Sequence, residues 1–251
     1  MKVWAVIPAR FGSTRFAGKV LAKDTGKFLI QHTWEQACLA KLPDKVIIAA
    51  DDERIAAAAK SFGAECILTS PAHKSGTDRI AEAVADMDVD IVLNVQADEP
   101  EIEPGNIDLL AQLLIEAQNL KLETQNCGMA TLAAEFENSE QVKDPNIVKV
   151  VVDSDNFAIY FSRSVIPYDR AAGGAGKTAN YLRHLGIYAY RKEFLLKITA
   201  LPQSGLEKIE RLEQLRAIEN GFPILVGKVE HTCDGIDTPE QYAEFVKRHK
   251  K

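Results

Sequence analysis

The sequence predicts an α/β fold carried on a mainly parallel sheet. Three observations predict it. Short apolar runs alternate with segments of helical period through the first half of the chain. The first of these runs ends in a loop of small residues and cations, the place where such sheets bind ligands. The chain closes on a strand followed by a helix start with a full capping box, Thr238-Pro239-Glu240-Gln241, proline standing at the first helical position.

Each element has its own warrant. Val3-Trp4-Ala5-Val6-Ile7-Pro8 is an apolar run of strand length. Val46-Ile47-Ile48-Ala49-Ala50 is a second, ending at Asp51-Asp52, which can cap the helix that follows. That helix sets Ile55, Ala58, Ala59 and Phe62 on one face and stops at Gly63. Residues 65–69 read as a strand. Thr77 is expected to cap a helix carrying Ile80, Val84 and Met87, and Ile91-Val92-Leu93-Asn94-Val95 is the next strand. Pro104 opens a helix with Ile107, Leu110, Leu114 and Ala117 inward. Right-handed crossovers then put helices on both faces of the sheet.

The second half is less regular. Residues 148–152 and 157–161 flank Asp153-Ser154-Asp155-Asn156, a hairpin turn. Ala171-Ala172-Gly173-Gly174-Ala175-Gly176-Lys177 reads as a mobile, solvated loop. Residues 184–190 are a strand, 206–220 one helix ended by Gly221, and 224–229 another strand. Glu207, Glu210 and Glu213 make a stripe on that helix, and the Glu207–Arg211 spacing reads as a solvated ion-pair face.

At 251 residues the chain can bury a large core. Its net charge of −6 argues against a nucleic-acid coat and for a focused anion site within an acidic protein. The apolar start is too short for a signal peptide, and no run reaches membrane-spanning length. Four scattered cysteines without a C-x-x-C pair read as reduced thiols of a cytoplasmic protein. His231, Cys233 and Asp234 lack the second ligand pair of a zinc site and read as a strand exit.

The loop after the first strand, Ala9-Arg10-Phe11-Gly12-Ser13-Thr14-Arg15-Phe16-Ala17-Gly18-Lys19, suits a polyphosphate. Small residues let backbone N–H groups approach the oxygens, and Arg10, Arg15 and Lys19 offset charge. It is not the P-loop of NTPases: five residues separate its glycines, and Val20 stands where that motif needs a hydroxyl. Residues 171–178 end in Gly-Lys-Thr but begin with Ala171, so they fail as well.

Asp98, in Asn94-Val95-Gln96-Ala97-Asp98-Glu99-Pro100, lies at a strand's carboxyl end, and Asp237 precedes the capping Thr238. Magnesium takes one or two carboxylates and completes its shell with water and phosphate. Read by spacing, a polar strand exit for Asp98 and simple helix capping for Asp237 stand open beside the metal reading. Ser75-Gly76-Thr77-Asp78-Arg79 is a turn into a helix with N–H donors and one guanidinium. Taken singly, Arg163 reads as a surface ion pair and His184 as a core imidazole.

Together these pieces resemble one family, the 3-deoxy-manno-octulosonate cytidylyltransferases. The resemblance rests on IPARFGSTRFAGK (7–19), SGTDR (75–79), NVQADEP (94–100), NIVKVV (146–151), YFSRSVIPYDR (160–170), RHLGIYAYR (183–191), LEKIERLEQLR (206–216) and GIDTPEQ (235–241). It implies a Rossmann-like nucleotide-diphospho-sugar transferase fold with a smaller mixed dimerisation region, a homodimer, and a magnesium cofactor. It implies one domain over 1–251, with a CTP half at 1–135, a sugar and dimerisation half at 136–220, and a closing strand and helix at 221–251. The reaction implied is CTP plus the acid sugar Kdo giving CMP-Kdo and pyrophosphate, for lipopolysaccharide biosynthesis, with no nucleic-acid or membrane partner.

Carried over by position, the resemblance gives Pro8, Ala9, Arg10, Arg15, Lys19, Ser75 and Gly76 to CTP. Asp98 and Asp237 go to the metal. Arg79, Gln96, Arg163, His184, Tyr188 and Glu210 go to the sugar, and Lys19, Arg10 and Asp98 are the residues expected to carry catalysis. The family commonly has proline at Ala17, glycine at Ala97 and an apolar residue at Glu101. These departures imply a loop that orders on CTP, a methyl group at Ala97 that crowds the sugar or shifts Asp98, and extra negative charge near the metal. Two alternatives stay open: the same chemistry on an 8-amino-Kdo or a sialate, and a non-catalytic nucleotide sensor.

Overall fold

The computed structural model describes residues 1–12, 16–119, 127–230, 232 and 235–250. The chain divides into two compact units, Met1–Ala111 with Cys233–Lys251, and Gln112–Thr232.

The first unit is the expected parallel sheet. Strand β1 (Val3–Ala9) precedes α1 (Leu29–Ala37), β2 (Lys45–Ala50), α2 (Glu53–Ser61), β3 (Glu65–Leu68), α3 (Gly76–Val84), β4 (Ile91–Asn94) and α4 (Pro104–Asn119), whose end passes into the second unit. Strand order in this unit is β3-β2-β1-β4, all parallel. Ala5, Val6, Ile7, Ile47, Ile48, Ile91, Val92 and Leu93 are inaccessible to solvent, as strands covered on both faces must be. The chain leaves β1 toward β2 and later returns to β1's other side with β4. The loops after β1 and β4 therefore lie at the topological switch point. Asp52 caps α2 by accepting from Arg54 N–H, as expected. The cap of α3 is Ser75 rather than Thr77: Ser75 accepts from Asp78 N–H, and Thr77 is buried inside the first turn.

In the second unit follow β5 (Met129–Glu135), α5 (Ser139–Lys143), β6 (Lys149–Val152), β7 (Ala158–Ser162), β8 (Leu182–Arg191), α6 (Lys192–Ala200), α7 (Gly205–Glu210), α8 (Leu215–Glu219) and β9 (Ile224–Val229). β5 runs parallel to β9 and antiparallel to β8, and β6 joins β7 to β8 in antiparallel pairing. The turn between β6 and β7 is as expected: Asp153 Oδ1 accepts from Asp155 and Phe157 N–H, and Asn156 takes φ 64°.

Two expectations fail here. The helix expected over 206–220 is two short helices, broken where Arg211 takes φ 54°. Arg163 Nε donates to Glu210 O at 2.8 Å, which occupies a carbonyl the continued helix would need. Nor is Glu207 solvated. It is buried and receives Arg216 Nε and Nη2 at 2.8 and 2.6 Å. The glycine-rich stretch is a surface loop, as expected, exposed at Ala171, Ala172, Gly173 and Lys177, with paired bonds between Asp169 and Gly174 and Gly176 N–H donating to the Tyr181 hydroxyl.

The chain returns to the first unit in α9 (Pro239–His249), opened by the capping box of Thr238 and Gln241. Tyr242, Phe245 and Val246 pack with Leu29 and Ile236, and Phe16 rests against this cluster.

Candidate active site

The first unit contains a cavity of about 300 Å³ lined by residues from the ends of β1, β4 and α3 and from the start of α9. Pro8, Arg10, Lys19, Ser75, Gly76, Arg79, Gln96, Asp98 and Asp237 of the sequence-derived set all line it, with His73 and Lys74 beside them. Ala9 is buried at the end of β1. Arg15 lies outside the described residues, as do His231, Cys233 and Asp234.

Lys19 links the carboxylates that line this cavity. The loop after β1 closes on itself, with Gly18 N–H donating to Phe11 O at 3.2 Å, and Gly18 takes φ 67°, where a glycine is favoured. A single 3₁₀ turn, Lys19–Leu21, follows. From it the Lys19 ammonium donates to Asp98 Oδ2 at 2.6 Å, Asp237 Oδ1 at 3.0 Å and Ile236 O at 2.8 Å. Two aspartates 139 positions apart in sequence thus meet on one cation. Asp237 is held by more than its own side chain, since Gln241 Oε1 of the capping box accepts its N–H at 2.8 Å.

The α3 side supplies an anion-favouring helix start. Gly76 lets that start approach β1: a Cβ there would stand 3.1 Å from Pro8 Cγ. Arg79 is almost wholly buried, donating to Thr69 Oγ1 at 2.7 Å and lying 3.4 Å from Asp51 Oδ2. His73 pairs with Glu82, whose carboxyl is held below its ordinary range by the Ser70 N–H and then by His73. Gln96 donates to Asn94 Oδ1. Ala97 is buried, and its carbonyl accepts from Thr33 Oγ1. Glu101 does not add unbalanced charge, because Arg248 Nη2 lies 2.6 Å from it.

The remaining residues that the resemblance gave to the sugar belong to the second unit, where they form two groups. Glu210 accepts from Ser162 Oγ at 2.6 Å and Arg163 N–H at 3.0 Å, while the Arg163 guanidinium donates to the carbonyls of Glu210 and Pro145. Arg163 is therefore bound to backbone rather than to a surface carboxylate. His184 is a buried imidazole, 3.0 Å from Thr131 Oγ1 and edge-on to Phe161, with the Tyr188 ring 5.5 Å away. Burial pushes its pKa down to about 3, so it is neutral at pH 7. Sequence reasoning missed Lys149. Its ammonium is fully buried and donates to the carbonyls of Asp144, Ile147 and Arg163, and burial lowers its pKa. A lysine inside the apolar run 148–152 was the available signal.

A parallel sheet that gathers a lysine, two carboxylates and a helix start around one cavity suits nucleotidyl transfer, and the family and relatives of the chain show it to be a nucleotidyltransferase. The chain belongs to the cytidylyltransferase family, whose model matches residues 4–229. It is 46% identical over 239 residues to a 3-deoxy-manno-octulosonate cytidylyltransferase of Solibacter usitatus, covering 95% of this chain and 91% of that one. It is 43% identical to the enzyme of the same name from Geotalea uraniireducens, over the whole of both chains. A solved structure of CMP:2-keto-3-deoxy-manno-octonic acid synthetase complexed with CTP superposes with TM-score 0.90 at 38% identity, covering 99% of this chain and 98% of that one. A 4-diphosphocytidyl-2C-methyl-D-erythritol synthase of Anaerococcus prevotii shares the fold alone, at 12% identity, TM-score 0.59, and coverage of 100% of this chain and 99% of that one.

Proposed function

We propose that this enzyme transfers CMP from CTP to the anomeric 2-hydroxyl of 3-deoxy-D-manno-octulosonate, releasing pyrophosphate and giving CMP-Kdo for lipopolysaccharide assembly. The observation that carries the reading is the convergence of Lys19, Asp98 and Asp237 in a cavity beside the loop after β1 and the start of α3. The named relatives supply the substrates.

In this reading Arg10, Lys19 and Arg15, with the donors at Ser75 and Gly76, receive the triphosphate. Pro8 and Ala9 set the strand end against it. Both substrates are anions, and at ~4 Å two unit charges interact by about 1 kcal/mol in water and several-fold more in a drier cleft. Lys19 and Arg10 offset that repulsion and the charge that builds on the departing pyrophosphate. The sugar hydroxyl attacks the α-phosphorus in line as pyrophosphate leaves. Within the first unit the sugar is assigned to Gln96 and Arg79, which line the same cavity.

Magnesium fits the donor set. Asp98 and Asp237 present oxygens to one point, 2.6 and 3.0 Å from a shared ammonium. Among the described residues no three metal-binding side chains cluster, so water and phosphate would complete the shell, as magnesium prefers. The ion would supply charge neutralisation and would lower the hydroxyl's pKa. Exposed Ile159, Tyr168 and Ile209 in the second unit support a homodimer, which sedimentation checks. The free thiols Cys38, Cys66 and Cys127 support a cytoplasmic location.

Pyrophosphate release from CTP, magnesium and Kdo, against 8-amino-Kdo and sialate as competitors, tests the proposal. Asp98→Ala is expected to abolish turnover, and near-normal turnover in that variant would sink the metal assignment.

A further inference from the structure

We infer that Asp51 is a positioning residue for the nucleotide, one that joins the loop after β1 to the start of α3. The inference rests on the reading of the cavity as the CTP site. A carboxylate next to a polyphosphate cradle is electrostatically misplaced unless something absorbs its charge. The sheet register puts it there: Ala9 pairs with Ala50, so the first residues beyond the two strands, Arg10 and Asp51, stand side by side. Asp51 N–H donates to Ala9 O at 3.3 Å.

The two oxygens of Asp51 serve different lips of the cavity. Oδ1 accepts from Phe11 N–H at 2.9 Å, fixing the first residue after Arg10. Oδ2 faces the Arg79 guanidinium at 3.4 Å, on the helix whose start carries Ser75 and Gly76. Both groups are sheltered, with the Asp51 and Arg79 side chains 14% and 3% exposed. Phe11 is held from two further sides. Its carbonyl accepts the Gly18 N–H that closes the loop, and its ring lies under Arg54, 3.5 Å from the guanidinium carbon. Arg54 is itself fixed by Asp52 at 2.6 Å, and it is not among the residues that line the cavity. One carboxylate therefore ties the residue after Arg10 to the helix that carries Ser75 and Gly76, assisted by Arg54 through Phe11.

The test measures the CTP dissociation constant by titration calorimetry, with KM and kcat from pyrophosphate release, for wild type, Asp51→Ala, Asp51→Asn and Arg54→Ala. Asp51→Ala is expected to weaken CTP binding and raise its KM by about tenfold, with kcat within about threefold of wild type. Asp51→Asn keeps an acceptor for Phe11 N–H but loses the charge facing Arg79, and is expected to recover part of the loss. Arg54→Ala is expected to raise KM by about twofold to threefold with an unchanged melting temperature, which a purely structural role would not produce. Folded variants with wild-type CTP affinity, or a loss confined to kcat, overturn the inference. If Asp51→Ala does not fold, Asp51→Asn and Arg54→Ala decide by the same criteria. A wild-type protein that binds CTP but releases no pyrophosphate refutes the proposed reaction, while the CTP affinities still judge Asp51.

Discussion

Lys19 Nζ lies 2.6 Å from Asp98 Oδ2, and the lysine side chain is only 12% exposed. The ammonium holds together two carboxylates that would otherwise repel, and it does so in the lining of the cavity proposed to receive CTP. Lys19→Met is expected to lower kcat/KM for CTP by ~10²-fold, about 2.7 kcal/mol. Raising magnesium should narrow that deficit, because a cation at the two aspartates takes over part of the lysine's task. Pyrophosphate release across a magnesium series measures both effects.

Gly76 touches the end of β1 through the space where other residues carry a side chain. Gly76→Val should push α3 away from Pro8, weakening CTP binding by about tenfold and costing ~1–3 kcal/mol of stability. Gly76→Ala should show the same effects in smaller measure. Calorimetric titration and thermal melting separate the two.

The Glu207–Arg216 pair is buried on both sides, with side chains 5% and 6% exposed. Burial alone would raise the Glu207 pKa, but the bonds from Arg216 and the Ser204 N–H outweigh it and hold the carboxyl below its ordinary range. Arg216→Met should cost ~3–5 kcal/mol, since it strands a buried charge, and the double variant Glu207→Met/Arg216→Met should regain much of it. Urea titration of the three proteins checks this.

His184 gives the fold an acid sensitivity. Its folded pKa of about 3 lies below the ordinary 6.5, so the unfolded chain binds the proton first. Its contribution is full above pH 6.5 and is lost as pH falls from there toward about 3. At pH 5 the loss should be about 2 kcal/mol, and His184→Leu should flatten this part of the stability profile. Unfolding free energies at pH 7.5 and 5 test it.

The first unit was legible because β1, β2 and β4 are largely buried on both faces and its helices carry regular apolar periods. β5 was not. Its residues, Met129-Ala130-Thr131-Leu132-Ala133-Ala134-Glu135, favour helix as readily as strand, and their conformation comes from β8 on one side and β9 on the other. The break at Arg211 was equally silent, for 206–220 is a run of good helix formers without glycine or proline. Only the bond from distant Arg163 marks the place. In the site, cations and carboxylates were readable from their strand-end positions. Asp51 was read as a helix cap, because its partners, Phe11 and Arg79, are remote in sequence.

Gln241 Oε1 accepts the N–H of both Asp237 and Thr238, so one amide side chain closes a helix and fixes a carboxylate of the cavity together. Helix ends fray before cores melt. The upper temperature for turnover should therefore be set by the first turn of α9 rather than by unfolding of the sheet. Heat would silence this enzyme while most of its structure was still standing, and cooling would restore it without refolding.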